Sequence, residues 1–245
     1  MLPLLEAKMI HLYDSEWATY EPDGSTRDVT LDEKQDPDFV IMPRYWVPES
    51  EVDSKLEGYP HSESMLGYRW ITATTNERTF IVSSFPRSGL GNSLPLILSK
   101  ENRDFLQAAG SSFVLDYVAR QMLGGSNMTF GTVNQLPMPA PTFNVSWIHL
   151  ESWVTQRVER LNRRDRAQRK AMRAELDAAM FHFYGVAKDE LEYILDTFSI
   201  VKRKDVAAYG EFRTKRLILE SYEAMAAAIE EGRLYKSPLN LEVSQ

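Results

Sequence analysis

The sequence predicts an α+β fold, with a β-rich domain carrying inserted helices over residues 1–146 and a helical subdomain over 147–245. Three observations predict it. Residues 1–146 hold 9 of the 12 glycines and 11 of the 12 prolines, scattered between short apolar runs, which is the texture of strands and turns. Residues beyond 147 carry long apolar stripes at helical spacing. The chain has 245 residues, 43% hydrophobic and 26% charged, enough for one large domain or two small ones around a buried core.

In chain order, Phe39–Val47 is rich in strand formers and broken by Pro43. Tyr68–Thr75 and Thr79–Phe85 read as a hairpin about a turn at Asn76-Glu77. Pro95–Leu98 is a third short strand. One helix starts at Ser99 or Lys100 and ends near Gly110; Ser111–Leu123 forms another, stopped by Gly124-Gly125. Asn127–Val133 reads as a strand and Gln135–Pro141 as a proline-stiffened connector. The acidic stretch Glu21–Asp38 reads as a solvated loop or insertion. In the second region Trp147, Leu150, Val154, Val158 and Leu161 make one helical stripe. Asp165 caps the next helix, which buries Met172, Leu176, Met180 and Phe183 and ends at Gly185. Asp189–Phe198 is a short third helix; Phe212 to Ile229 lie on a long fourth, closed by Gly232. No internal repeat is visible.

Composition excludes several classes. No apolar run approaches the roughly 18 residues of a membrane span, and the N-terminus lacks the basic and apolar regions of a secretory signal; the expected location is cytoplasmic. With no Cys, disulfides, Cys-ligated zinc and iron–sulfur clusters are out. Net charge is −7, against a general nucleic-acid binder, but it is uneven. Residues 1–150 hold 19 acids and 11 bases, the remainder 16 acids and 17 bases, and Gln121–Leu150 has no Asp, Glu, Lys or Arg. Local patches decide nucleic-acid contact.

No catalytic constellation is visible. The four histidines, His11, His61, His149 and His182, show no metal-binding spacing. There is no P-loop, and Gly89-Leu-Gly91-Asn-Ser precedes a strand-like run, so it reads as a turn. No G-x-S-x-G elbow occurs. His182 reads as packed core. The dense basic run Arg157–Arg173 is either a solvated helix face or a set of phosphate contacts along DNA. Lys202-Arg-Lys204 and Arg213, Lys215 and Arg216 extend that patch only if they share its face.

A series of motifs carries a resemblance. In order they are Leu5-Glu-Ala-Lys8-Met-Ile-His11-Leu-Tyr-Asp14, Pro43-Arg-Tyr-Trp46, Tyr68-Arg69-Trp-Ile, Ala73-Thr-Thr-Asn76-Glu-Arg78-Thr, Gly91-Asn92-Ser-Leu-Pro95, Phe113-Val-Leu-Asp116-Tyr-Val-Ala-Arg120 and Gln135-Leu-Pro137. With Phe183-Tyr-Gly185, Tyr193-Ile-Leu-Asp196 and Tyr209-Gly-Glu-Phe-Arg213 in the tail, they resemble the C-terminal part of large bacterial N6-adenine DNA methyltransferases. These occur in type II restriction–modification enzymes with fused methylase and in related phage-defence systems. The likeness covers nearly the whole chain. The family's S-adenosylmethionine loop and Asn-Pro-Pro-Tyr tetrad are not in this sequence. The resemblance therefore implies the target-recognition portion, not catalytic alone, with S-adenosylmethionine bound by a methylase domain or partner. The chain is either a fragment or a separate specificity subunit.

The resemblance implies double-stranded DNA and a methyltransferase catalytic domain or subunit as partners, and no membrane. Arg reads guanine bidentately and Asn or Gln reads adenine. Candidate DNA contacts are Arg69, Asn76, Arg78, Arg87, Asn92, Arg120, Gln121 and Asn127, with Lys8 and Arg44 on phosphates. Arg163, Arg164, Arg166, Arg169 and Lys170 are possible phosphate contacts from the helical region. Each has a plainer reading: Arg78 in a surface pair with Glu77, Arg120 bridged to Asp116 one turn back, Asn76 and Asn127 as turn residues. Base-reading residues of the family tend to fall between motifs, and Gly124–Pro137 is such a segment. The alternative is a protein–protein assembly subunit without base reading; an independent enzyme is the weakest hypothesis.

Overall fold

The computed structural model describes residues 1–59, 63–139, 146–163, 168–239 and 241. The fold is α+β. Among the described residues its strands are short and form three small sheets. In the first, β1 (Leu2–Leu5) is central, with β4 (Tyr45–Val47) antiparallel on one side and β7 (Gly89–Leu90) parallel on the other. Gly89 is needed there because a Cβ would sit 2.4 Å from a Val47 methyl. β2 (Ala18–Tyr20) pairs with β3 (Thr26–Asp28), and β5 (Ser64–Tyr68) with β6 (Val82–Pro86).

The expected hairpin is displaced: β6 overlaps the predicted Thr79–Phe85 strand, but its partner is Ser64–Tyr68, which shares only Tyr68 with the predicted Tyr68–Thr75, and the ladder ends at Tyr68↔Val82, leaving 69–81 as a long connection. Side chains near and far in sequence supply the reason. The Thr72 hydroxyl donates to the Thr79 carbonyl at 2.6 Å, and Asp116 takes the amides of Thr79 and Phe80, so side chains replace the strand partner. Pro95–Leu98 contributes only an isolated Gly67↔Leu96 bridge, and only Tyr45–Val47 of 39–47 is strand.

The acidic segment is more ordered than expected. It contains β3 and α1 (Leu31–Gln35), whose Thr30–Glu33 capping box satisfies the first turn. Arg27 bridges Glu21 and Glu33, and the buried Lys34 ammonium meets Asp14 at 2.6 Å.

Helices α2 (Glu49–Leu56), α3 (Arg103–Gly110) and α4 (Phe113–Met122) follow. Gly110 lets the end of α3 close on β6, where a Cβ would be 2.7 Å from Val82. The Ser112 hydroxyl caps α4. Asn127–Val133 is not a strand: Thr129 caps the short helix α5 (Phe130–Val133) by accepting the Thr132 amide.

The helical region comprises α6 (Leu150–Asn162), α7 (Arg169–Phe183), α8 (Lys188–Asp196), α9 (Ser199–Tyr209) and α10 (Arg213–Glu230). The predicted Asp165 cap lies outside the described residues. α9 had no counterpart in the apolar pattern, because only Val201 and Asp205 on it are buried. Gly210, at φ +75°, turns α9 into α10. His182 is packed as expected, stacked on Tyr222 at 4.0 Å and bonded to its carbonyl.

The largest core crosses position 146. Leu12, Tyr13, Ile81, Phe105 and Phe113 of the first region pack with Val158, Met172, Met180, Phe198 and Ile218 of the second. Each such side chain contributes about 1.5–3 kcal/mol, so the helical region is held on 1–146 mainly by apolar burial.

Candidate nucleic-acid interface

Three connections converge beside the end of α4. The amide of Trp70 donates to Ser93 at 2.9 Å, that of Met128 to Trp70 at 2.7 Å and that of Thr72 to Ser126 at 3.0 Å. Ile71 and Asn127 form an antiparallel bridge. Segments 70–79, 91–93 and 124–135 thus share one surface, although they are far apart in sequence. Arg120 fastens it to α4. Its guanidinium donates to the carbonyls of Asn76 and Glu77 at 2.9 and 2.8 Å and to the Thr79 hydroxyl at 3.0 Å, and lies 4.1 Å over the Phe198 ring. Burial holds the Arg120 pKa below its usual range, with Asp116 opposing.

Asn76, Asn92, Gln121 and Asn127 are all exposed on or beside this surface. Among the described residues, none of their side-chain amides is hydrogen-bonded. Their full donor and acceptor sets face water. Ile71 and Phe130, 64% and 59% exposed, stand among them, and Trp70 backs Phe130 edge-on at 5.2 Å. The sequence reading did not single out Ile71 or Phe130. The uncharged stretch around Phe130 was the available signal.

The arginines are placed differently. Arg78 is buried, with Nε on Asp116 at 2.8 Å, Nη2 on the Ser111 carbonyl at 2.7 Å and a face on Phe113. It makes neither a base-reading edge nor a surface pair with Glu77. Arg69 donates inward to the Ile10 carbonyl, and desolvation brings its pKa down to about 10. Arg87 bridges Glu49 and Asp53 on α2. The turn reading of Asn76 holds for its backbone, whose amide bonds to Ala73. Lys8 and Arg44 are exposed, packed over the rings of Tyr20 and Tyr45. Lys8 adjoins the shared surface, because the neighbouring Ala7 amide bonds to the Ser93 hydroxyl.

The basic run of the helical region is not one face. Arg157 is buried against Glu175 at 2.8 Å. Arg169 donates to the carbonyls of Leu161, Arg163 and Tyr13, tying α7 to the first region. Lys170 bonds to the Tyr209 hydroxyl at 2.6 Å. Arg163 stays exposed, 4.0 Å from Glu159. Arg164 and Arg166 lie outside the described residues.

Behind the loop surface is a buried charged cluster. Asp177 receives the Phe113 amide at 2.8 Å, and burial pushes its pKa up to about 6 despite Arg78 and Arg173. Burial, reinforced by Arg69, Arg173, Arg78 and Lys204, brings His11 down to about 2. Among the described residues no group of acids and histidines is arranged to hold a metal. Comparison of the chain with protein-family models, with curated proteins and with solved structures finds no match.

Proposed function

We propose that the chain is the target-recognition portion of an N6-adenine DNA methyltransferase in a restriction–modification or phage-defence system. It reads double-stranded DNA with the surface built from 70–79, 91–93 and 124–135. One observation carries this reading: four exposed carboxamides, Asn76, Asn92, Gln121 and Asn127, make no side-chain hydrogen bond among the described residues and sit on or beside connections locked together by backbone bonds. A carboxamide pairs bidentately with adenine, and each good pair contributes about 1–3 kcal/mol of discrimination. Ile71 and Phe130 supply apolar contact of the kind a thymine methyl takes. Lys8 and Arg44 offer phosphate contacts that set register.

In this reading the chain positions the duplex, and catalysis belongs to a methylase domain or subunit. S-adenosylmethionine is bound there. Gly89 and Gly91 pack β7 and its end on β1. The partner flips the adenine at a cost of a few kcal/mol, while the chain grips the rest of the site.

The test is fluorescence anisotropy with a randomised duplex pool at low salt, followed by sequencing of the bound fraction. Selection of a defined motif is expected, with Gln121→Ala and Asn127→Ala relaxing it at individual positions. Binding without sequence enrichment, or enrichment that all four carboxamide variants leave unchanged, would refute the reading. The assembly-subunit alternative has its own support: Val40, Met42, Tyr45 and Trp46 are each at least 50% exposed beside the edge strand β4.

A further inference from the structure

We infer that the cavity between Arg78 and helices α7, α9 and α10 is a binding site for a tetrahedral oxyanion, a phosphate group. The inference does not rest on DNA recognition. The cavity measures about 140 Å³, and His11, Arg78, Lys170, Arg173, Asp177 and Lys204 contribute to its wall. That is ample for a small ion with water and smaller than the roughly 300–1,000 Å³ of pockets that enclose a drug-sized molecule.

The wall has donors that the protein does not use. Arg78 is 2% exposed, and its Nη1 has no hydrogen-bond acceptor. Among the described residues, Arg173 makes no hydrogen bond and no ion pair within 4.0 Å. Buried guanidinium donors are seldom left empty, since each lost bond carries a desolvation cost. The acids nearby are already engaged. Asp177 receives the Phe113 amide, Asp205 the Thr214 amide at 2.6 Å, and Glu77 the Lys204 ammonium. The cavity wall carries four cations, Arg78, Lys170, Arg173 and Lys204, against three acids, Glu77, Asp177 and Asp205. Neutral His11 still has one N–H to donate. Two forked guanidinium groups match the paired oxygens of a phosphate better than those of a monatomic ion.

The phosphate has two possible sources, free inorganic phosphate or a backbone phosphate of nucleic acid. The experiment uses the full chain and follows thermal unfolding with inorganic phosphate, compared with sodium chloride at matched ionic strength. A saturable rise of about 3 °C in Tm is expected near tenfold excess over Kd. Arg173→Gln abolishes that rise. The rise is read against the phosphate-free Tm of each protein, so a change in basal stability does not enter it. Absence of a rise in the wild type, or an equal rise in Arg173→Gln, overturns the proposal, the latter being the general salting effect on surface. A 20-base-pair duplex then identifies the source. If Arg173→Gln weakens duplex binding and phosphate competes with it, the ligand is a backbone phosphate; if duplex binding is unchanged, it is the free ion. Failure to bind any duplex, together with a phosphate-dependent rise lost in Arg173→Gln, would sink the DNA reading and leave this one standing.

Discussion

Arg78 and Asp116 form an ion pair at 2.8 Å with side chains 2% and 0% exposed. The same carboxylate receives the amides of Thr79 and Phe80 at 2.8 and 2.7 Å. One side chain of α4 thereby shapes the connection that carries Asn76. Breaking one partner of a buried pair leaves an uncompensated charge and costs about 3–5 kcal/mol. Asp116→Asn is expected to lose that much in urea denaturation. Combining Asp116→Leu with Arg78→Met should cost less than the two single changes added together. An Asp116→Asn protein within about 1 kcal/mol of wild type would show that the pair does not hold the connection.

Asp177 and His11 have opposite effects on stability below neutral pH. Asp177 binds its proton more tightly when folded, with a pKa near 6 rather than 3.8. Its contribution is therefore present below the unfolded value and lost as pH rises through 6. His11 is the reverse: its folded pKa is near 2 rather than 6.5, so its contribution is present above 6.5 and lost as pH falls. Between pH 4 and 6 the two slopes, each on the order of 1 kcal/mol per pH unit, oppose each other. Relative to wild type, Asp177→Asn should lose stability more steeply on acidification over that range, and His11→Gln less steeply. Parallel curves of Tm against pH for all three proteins would contradict this pairing.

The exposed carboxamides separate binding from folding. Asn76, Gln121 and Asn127 make no side-chain hydrogen bond among the described residues, so alanine at each should change stability by no more than about 0.5 kcal/mol. In the proposed reading, the same changes relax discrimination by about 1–3 kcal/mol at one base pair each. Arg120→Met differs. It releases the carbonyls of Asn76 and Glu77, and faster amide exchange over residues 73–77 is its expected signature. Exchange unchanged in that variant would mean that Arg120 is not the fastener.

Much of the helical region was legible in the sequence, because α6, α7 and α10 bury apolar stripes that periodicity reveals. α9 was hidden: it buries little, and the positive φ of Gly210, not a change in hydrophobicity, marks its end. The second strand of the hairpin was visible but its partner was misplaced, since Ser64–Tyr68 pairs where 68–75 was expected and Asp116 captures two amides 37 and 36 residues away, a choice no local pattern encodes. The candidate surface was partly legible. Asn76, Asn92, Gln121 and Asn127 were recognisable by residue type, and the structure brings their segments together. Arginines were the hardest to read. Burial depends on tertiary partners: Arg78 finds Asp116, Arg69 finds the Ile10 carbonyl and Arg157 finds Glu175.

Arg157 on α6 and Arg163 just past its end should respond in opposite ways. Arg157 is buried, and its partner Glu175 also accepts from the hydroxyls of Tyr235 and Ser237, anchoring the segment after α10. Arg157→Met should therefore cost about 3–5 kcal/mol in stability while leaving the salt dependence of duplex binding by the folded fraction unaltered. Arg163, 65% exposed and only 4.0 Å from Glu159, has little structural work to lose, since exposed pairs contribute about 0–1 kcal/mol. If it touches a phosphate, Arg163→Gln lowers the slope of log K against log salt by about one without a change in Tm. A slope that stays the same confines duplex contact to the loop surface and leaves the basic run with the structural roles that Arg157 and Arg169 already fill.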